Sequence, residues 1–220
     1  MGPEIIVFDL NGTLLDLAVL DGHFERIFGS PGTRERWFEQ LQILWMSTIA
    51  SGMYQPFEKL AGAALEMLAA REHAELSSAD ERIITGQMAE LPAFAEVPGA
   101  LERLRAAGFR LAALTNGARK TALAQLEHAG IADAFEAVFS TDEVERFKPS
   151  PEPYLHVAKQ LDAKPGKLLM VAAHAWDVAG AHQAGLSSAF VARPRQVLNP
   201  LAAKPDYVVK DLAELVSKLC

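Results

Sequence analysis

Several side chains in this sequence stand where they could do chemistry. Asp9 follows the apolar run Ile5-Ile6-Val7-Phe8 and precedes Asn11-Gly12-Thr13. A carboxylate that ends a buried strand, beside a glycine turn whose amides can hold an anion, is placed to act as a nucleophile and form an ester or acyl-phosphate. An aspartate in such a turn also serves as an Asx-turn or helix cap, and this segment alone does not decide between the two. Three later segments place polar groups at or beyond the ends of successive strand-like runs: Thr115-Asn116-Gly117, Lys148-Pro149 and Ala175-Trp176-Asp177. Thr, Asn and Gly are ordinary turn residues too, and a lysine before a proline can simply be solvated. His174 carries an imidazole and reads as a base, a donor or an orienting group. His23, His73, His128, His156 and His182 show no ligand spacing with acidic partners, and the acidic stretch 141–145 reads as a solvated loop.

The elements that must position these groups alternate in period. The run 5–8 is continuously apolar and β-branched or aromatic, as a strand buried on both faces requires. Residues 35–49, 56–70 and 79–88 carry apolar side chains at helical spacing, with an N-cap signal in Ser77-Ser78-Ala79-Asp80. After Pro98-Gly99 the pattern alternates, with helices at 100–107, 118–129, 151–161 and 178–184 and strands at 109–114, 137–140, 168–172, 188–192 and 206–209. Strands alternating with helices predict an α/β fold, a doubly wound parallel sheet of Rossmann-like type. Segments 1–15 and 93–220 form its core and 16–92 an inserted helical cap. Ligands in such sheets bind beyond the strand C-terminal ends, where Asp9, Thr115 and Asp177 fall.

Composition narrows the function classes. A chain of 220 residues with 50% hydrophobic and 22% charged residues can bury a sizeable core. A net charge of -7 argues against a nucleic-acid partner, since phosphate backbones need clustered cations. A small anionic substrate stays compatible with it, because a local pocket can be positive on an acidic protein. The single cysteine, Cys220, supports neither an intrachain disulfide nor a cysteine metal site. No apolar run is long enough to span a bilayer and no basic leader opens the chain, so no membrane partner is expected and a cytoplasmic location is the default.

Four motifs in order resemble the haloacid dehalogenase superfamily. They are Phe8-Asp9-x-x-Gly12-Thr13-Leu14, Leu114-Thr115-Asn116-Gly117, Phe147-Lys148-Pro149-x-Pro151-x-x-Tyr154 and Val171-x-x-x-Ala175-Trp176-Asp177. The Lys148 to Tyr154 spacing and the run Ala175-Trp176-Asp177-x-x-Gly180-Ala181 are most similar to its (S)-2-haloacid dehalogenase branch. The resemblance covers the whole chain, the helical insertion matching the cap. It implies a hydrolase in which Asp9 displaces halide from Cα of a 2-haloacid. A water activated near Asp177 then opens the aspartyl ester to the 2-hydroxy acid. It implies that Lys148 pairs with Asp9 and Asp177, and that Thr13 supports the nucleophile. The resemblance also implies that Leu10, Asn11, Thr115, Asn116 and Tyr154 line the substrate site, with no cofactor and no metal, although Tyr154 as a lone helical aromatic can equally be packing. A homodimer is the assembly the resemblance implies. Superfamily phosphatases place an acid where this chain has Asn11 and a metal-binding acid where it has Ala173. Neither residue can do that work, which moves Asp9 away from phosphoryl transfer.

The chain also departs from the haloacid pattern. Ala172-Ala173-His174 stands where that branch has Ser-Ser-Asn. Alignment through Gln40-Leu41 and Trp45 puts Trp37 at the position of its cap arginine, with Arg34 and Arg36 close by. An indole N–H can donate to a halide without bringing charge, and Trp37 can equally be cap packing. Trp176 reads as core or pocket wall. Other readings are a hydrolase of this superfamily acting on another small substrate such as a phosphate ester, and a catalytically weak binding member.

Overall fold

The computed structural model describes residues 2–30 and 32–220. Met1 and Pro31, which fall in the ranges expected for core and cap, lie outside the described residues.

The chain opens with β1 (Ile5–Phe8), every residue of which is buried. Four helices follow: α1 (Asp21–Phe28), α2 (Thr33–Ser51), α3 (Phe57–Glu72) and α4 (Ser78–Gln87). The alternating region then runs α5 (Val97–Ala106), β2 (Arg110–Thr115), α6 (Arg119–His128), β3 (Ala137–Ser140), α7 (Pro151–Gln160), β4 (Leu168–Ala172), α8 (Ala175–Gln183), β5 (Ser187–Val191), β6 (Tyr207–Val209) and α9 (Leu212–Leu219). All strand pairings are parallel, in the order β3-β2-β1-β4-β5-β6. The chain therefore reverses its winding between β1 and β4, and Asp9 emerges at that switch point.

Alternation along β1 decides where Asp9 points. Ile6 and Phe8 join the apolar layer that includes α5, α6 and α9, whereas Ile5 and Val7 join the layer of α7 and α8. Successive side chains of a strand face opposite ways, so Asp9 follows Ile5 and Val7 toward α7 and α8. The register sets Phe8 beside Ala113 of β2 and Val171 of β4. The Asp9 amide donates to the Val171 carbonyl at 3.0 Å, so the carboxylate leaves the sheet at a fixed height.

The four helices between β1 and α5 form the cap. The chain leaves and re-enters the core side by side, with Leu15 bridged antiparallel to Ala93. The Asp16 amide donates to Pro92 O at 2.8 Å and the Phe94 amide to Leu14 O at 3.0 Å. Helix α1 was not anticipated. It is one short amphipathic element with Phe24 buried, no side-chain cap at its start, and Gly29 at φ 68° closing it. Helix α4 begins where the sequence signals it, with Ser77 and Asp80 forming a reciprocal capping box. Among the described residues no helix is long and apolar enough to cross a membrane.

The 141–145 segment is not the free solvated loop expected. Thr141 is buried, Asp142 accepts a hydrogen bond from the Tyr54 hydroxyl of the cap, and Glu143 caps its own turn. Glu143 also meets His156 Nε2 at 2.9 Å, which gives that histidine a structural partner. Glu58 of α3 accepts from the Ala118 amide at 3.2 Å, just before α6, so cap and core are tied at a second point.

Candidate active site

The ends of three strands, β1, β2 and β4, supply the partners of one buried lysine that follows β3. Lys148 Nζ is fully buried and donates to Asp9 Oδ1 at 2.9 Å, to Asp177 Oδ2 at 2.6 Å and to the Leu114 carbonyl at 2.9 Å. An ammonium has three protons to give, and all three are taken. The second oxygen of Asp9 accepts from Thr13 Oγ1 at 2.7 Å, while Thr13 Oγ1 in turn accepts from the Ala173 amide at 2.9 Å. The second oxygen of Asp177 accepts from the Tyr154 hydroxyl at 2.6 Å. Asp177 lies in the first turn of α8, where the helix N-terminus favours a negative charge.

Asn116 fixes the lysine backbone. Its Oδ1 accepts from the Lys148 amide at 2.9 Å and its Nδ2 donates to the Lys148 carbonyl at 3.4 Å. The following Pro149 presses on α8 at Gly180, where a Cβ would stand 2.6 Å from the Pro149 carbonyl oxygen. A Gly180→Ala substitution is expected to destabilise the fold by about 1–3 kcal/mol through overpacking. It should lower the urea midpoint and, by shifting the Lys148 backbone, reduce turnover as well. An unchanged midpoint would show that α8 and the Lys148 segment can separate freely.

Electrostatics separates the two carboxylates. Burial alone would raise the Asp9 pKa, but the Lys148 charge and the hydrogen bonds from His174 and Lys148 outweigh it and hold Asp9 well below the usual range. Asp177 goes the other way, raised by burial and by the Asp9 charge despite Lys148. Burial works against the Lys148 ammonium, yet the two carboxylates more than compensate and raise it. Burial and the Asp177 charge raise Tyr154, which keeps it a donor.

His174 sits on the other side of Asp9, with Nδ1 3.1 Å from Asp9 Oδ2. Against an ionised carboxylate, Nδ1 must carry the proton, so in the neutral imidazole Nε2 is left with a lone pair. The ring is stacked on Trp176, centroids 5.1 Å apart at 17°, and lies 5.5 Å from Phe38 of α2. Gly12, at φ 76°, lets it lie over the turn, since a Cβ there would be 3.3 Å from Nε2.

Two cavities adjoin this cluster. An inner one of about 20 Å³ is lined by Asp9, Asn11, Thr115, Asn116 and Gly117 from the core, with Phe38, Trp45, Phe57, Trp176 and His174 as ring walls. An outer one of about 670 Å³ opens past Phe38 and His174, with Arg34, Arg193 and Arg195 among its lining. Thr115 Oγ1 accepts from the Gly117 amide at 3.0 Å, leaving its proton to donate. Asn11 Oδ1 accepts from Gln125 Nε2 at 3.0 Å.

Some expected positions are corrected. Trp37 is buried and its indole donates to Ala61 O at 3.1 Å, binding α2 to α3, so it has no donor to offer a halide. Its neighbour Phe38 is the residue that reaches the cavities, one helical step round from Trp37. Arg36 is held by Glu72 at 2.9 Å and Arg34 by Asp21 at 2.5 Å, so neither takes the expected place. The Leu10 side chain is in the apolar core, and its carbonyl organises the turn by accepting from the Thr13, Leu14 and Leu15 amides. Tyr154 lines neither cavity and positions Asp177. Asp177 likewise lines neither and is fully buried, with Oδ2 held by Lys148 and Oδ1 by Tyr154.

Arg193 was missed. It is buried, donates to Thr13 O at 2.9 and 3.1 Å, pairs with Glu96 at 2.7 Å and stacks on Phe94 at 3.7 Å. Its place just past β5, at the same end of the sheet as Asp9, was the signal that could have found it.

A doubly wound parallel sheet with a lysine-bridged carboxylate pair at its strand ends and a helical cap above defines a capped α/β hydrolase. The haloacid dehalogenase-like hydrolase model matches residues 3–185, and the chain belongs to that family. The (S)-2-haloacid dehalogenase 2 of Pseudomonas sp. (strain CBS-3) is 32% identical over 217 residues, covering 97% of this chain and 94% of that protein. Haloacetate dehalogenase H-2 of Moraxella sp. (strain B) is 28% identical, covering 97% of this chain and 96% of that protein. The structure of L-2-haloacid dehalogenase from Xanthobacter autotrophicus with chloropropionic acid covalently bound is also similar. It superposes with a TM-score of 0.89 at 26% identity, over 98% of this chain and 97% of that one.

Proposed function

We propose that this protein is a metal-independent hydrolytic dehalogenase that converts a small (S)-2-haloacid to the 2-hydroxy acid and halide. In this reading Asp9 attacks Cα in line, halide leaves as an anion, and an ester joins Asp9 to the substrate. The observation that carries it is the placement of Asp9: paired with the Lys148 ammonium, aimed by Thr13, and the one carboxylate among the described residues lining the inner cavity. Displacement at carbon needs no acid for a halide leaving group, whereas an alkoxide leaving group would need one. The relatives' names and the fold they share support the same class of substrate.

Hydrolysis of the ester needs a water and a base. Asp177 is enclosed, so in this reading it holds Lys148, and the water comes from the His174 side, where Nε2 accepts its proton. The cap, taken as 16–92, supplies the Phe38, Trp45 and Phe57 walls that keep other water from the ester, and the core, 1–15 and 93–220, supplies the charges and the His174 and Trp176 walls.

The test is halide release from chloro-, bromo- and fluoroacetate and from 2-chloropropionate, with EDTA present. The expected result is EDTA-resistant release that disappears in Asp9→Asn. Mg²⁺-dependent phosphate release from a generic phosphate ester, with no halide from any haloacid, would overturn the reading.

A further inference from the structure

Thr13 aims the nucleophile: its hydroxyl donates to Asp9 Oδ2 and is itself held by the Ala173 amide. A hydroxyl keeps that line only if the backbone behind it is fixed. The Thr13 amide donates to the Leu10 carbonyl at 3.1 Å, inside the same turn. The Thr13 carbonyl is held from outside the turn by the Arg193 fork, with Nε at 3.1 Å and Nη2 at 2.9 Å. Arg193 stands two residues beyond β5, and β5 lies two places from β1 in the sheet. Strands so placed are roughly 10 Å apart, so only a long side chain reaches the turn.

The rest of the guanidinium is engaged where the cap chain returns to the core. Nη1 lies 2.7 Å from Glu96 Oε1, and the central carbon sits 3.7 Å over the Phe94 ring. Phe94 in turn donates its amide to the carbonyl of Leu14, the residue after Thr13. Arg193 is buried, and Glu96 offsets its charge, so what it gives Asp9 is position more than field.

We propose that Arg193 is a positioning residue of the reaction, which keeps the Thr13 hydroxyl on Asp9 by pinning the Thr13 carbonyl. The proposal rests on the reading of Asp9 as the nucleophile and adds what keeps its carboxylate aimed. Arginine meets three demands together: two N–H groups for one carbonyl, a cation for Glu96 and a plane for the Phe94 ring. A lysine supplies the charge without the fork. Once freed, the Thr13 backbone lets the carboxylate leave the line of attack, and a misplacement of about 1 Å costs on the order of 100-fold in rate. Arg193 also borders the outer cavity, so the competing role is a grip on the substrate carboxylate. Grip appears in KM and aim in kcat.

The experiment measures kcat and KM for halide release from (S)-2-chloropropionate in the wild type, Arg193→Lys, Arg193→Met, Thr13→Val and the double variant Thr13→Val with Arg193→Met. Both arginine variants are expected to lose about 10- to 100-fold in kcat, with KM changed by less than about threefold. Because Arg193 acts through Thr13, Arg193→Met should cost little more once Thr13→Val has removed the hydroxyl, so the two losses should not add. A second measurement needs no turnover. The amide proton resonance of Ala173, which donates to Thr13 Oγ1, should shift in both arginine variants while those of β3 stay in place. Should Arg193→Met fail to fold, Arg193→Lys takes its place, in the double variant as well. A raised KM with unchanged kcat, full kcat in Arg193→Lys, or losses that add would each overturn the role. No halide even from the wild type would remove the dehalogenase reading. The Ala173 resonance then decides alone, a shift upholding the link from Arg193 to Thr13 and constancy refuting it.

Discussion

Asp9→Asn should abolish halide release, by about 10⁴- to 10⁶-fold in kcat, the scale on which removing a nucleophile acts in other hydrolases. An amide oxygen is too weak a nucleophile to displace halide, yet it is nearly the same shape. It can still accept from Lys148 or Thr13, so the geometry around it changes little. Stability should change far less than activity, because Lys148 keeps Asp177 at 2.6 Å and the repulsion between two buried carboxylates disappears. Substrate binding should also survive, since the ring walls are untouched. The measurements are halide release, thermal unfolding and tryptophan emission on the same preparation. Wild-type rates in the variant would remove Asp9 from the chemistry, and an unfolded variant would recast it as a structural residue.

Lys148→Met should produce the largest loss of stability, about 3–5 kcal/mol at pH 7, because it leaves two buried carboxylates without their cation. The pH dependence has a definite sign. The raised Lys148 pKa means its stabilisation is complete below the unfolded value and lost only as pH rises through the folded one. Asp9, held low, contributes stability above its unfolded value and loses it as pH falls through the folded one. Asp177, raised, makes the fold less stable as pH rises through its folded value. In the variant both acids lack Lys148 and take up protons more readily, so on acidification from pH 7 toward pH 5 it should gain more stability than the wild type does. Adding Asp177→Asn to Lys148→Met should recover part of the loss. Urea titrations at the two pH values test this. Parallel pH profiles for the two proteins would show that Lys148 is not the counterion the geometry describes. Activity should fall with the lysine, since Asp9 would no longer be held ionised.

The sheet was readable because its strands are short, continuously apolar and punctuated by glycine or polar turns. Strands at Ile5–Phe8, Ala137–Ser140 and Leu168–Ala172 lie where the hydrophobic runs put them. The charged cluster was readable only through resemblance, since nothing in spacing alone brings Asp9 and Lys148 within 2.9 Å across 139 positions. Inside the cap the sequence was less informative. On helix α2 every third or fourth side chain faces inward, and adjacent residues point about 100° apart. That rotation sends Trp37 into packing and Phe38 to the cavity, a difference that an alignment by identities does not register. Tyr154 and Asp177 were recognised, yet their depth was not, because burial at the sheet's edge depends on how α7 and α8 close over it. Arg193 went unseen because its partners, a carbonyl of Thr13 and the Phe94 ring, lie far from it in the chain.

The complete engagement of Lys148 also sets how charge moves through one reaction cycle. With both aspartates ionised, the three groups carry one negative charge in excess, largely buried and so only weakly screened by dissolved salt. In the proposed reaction, ester formation would cancel the Asp9 charge, and the same unit would pass to the departing halide. The site would then change from one that opposes an anion to a neutral one at the moment an anion is born in it. The return of the charge on hydrolysis would meet the hydroxy-acid carboxylate with repulsion. A lysine with no proton to spare would in this way time the exit of both products.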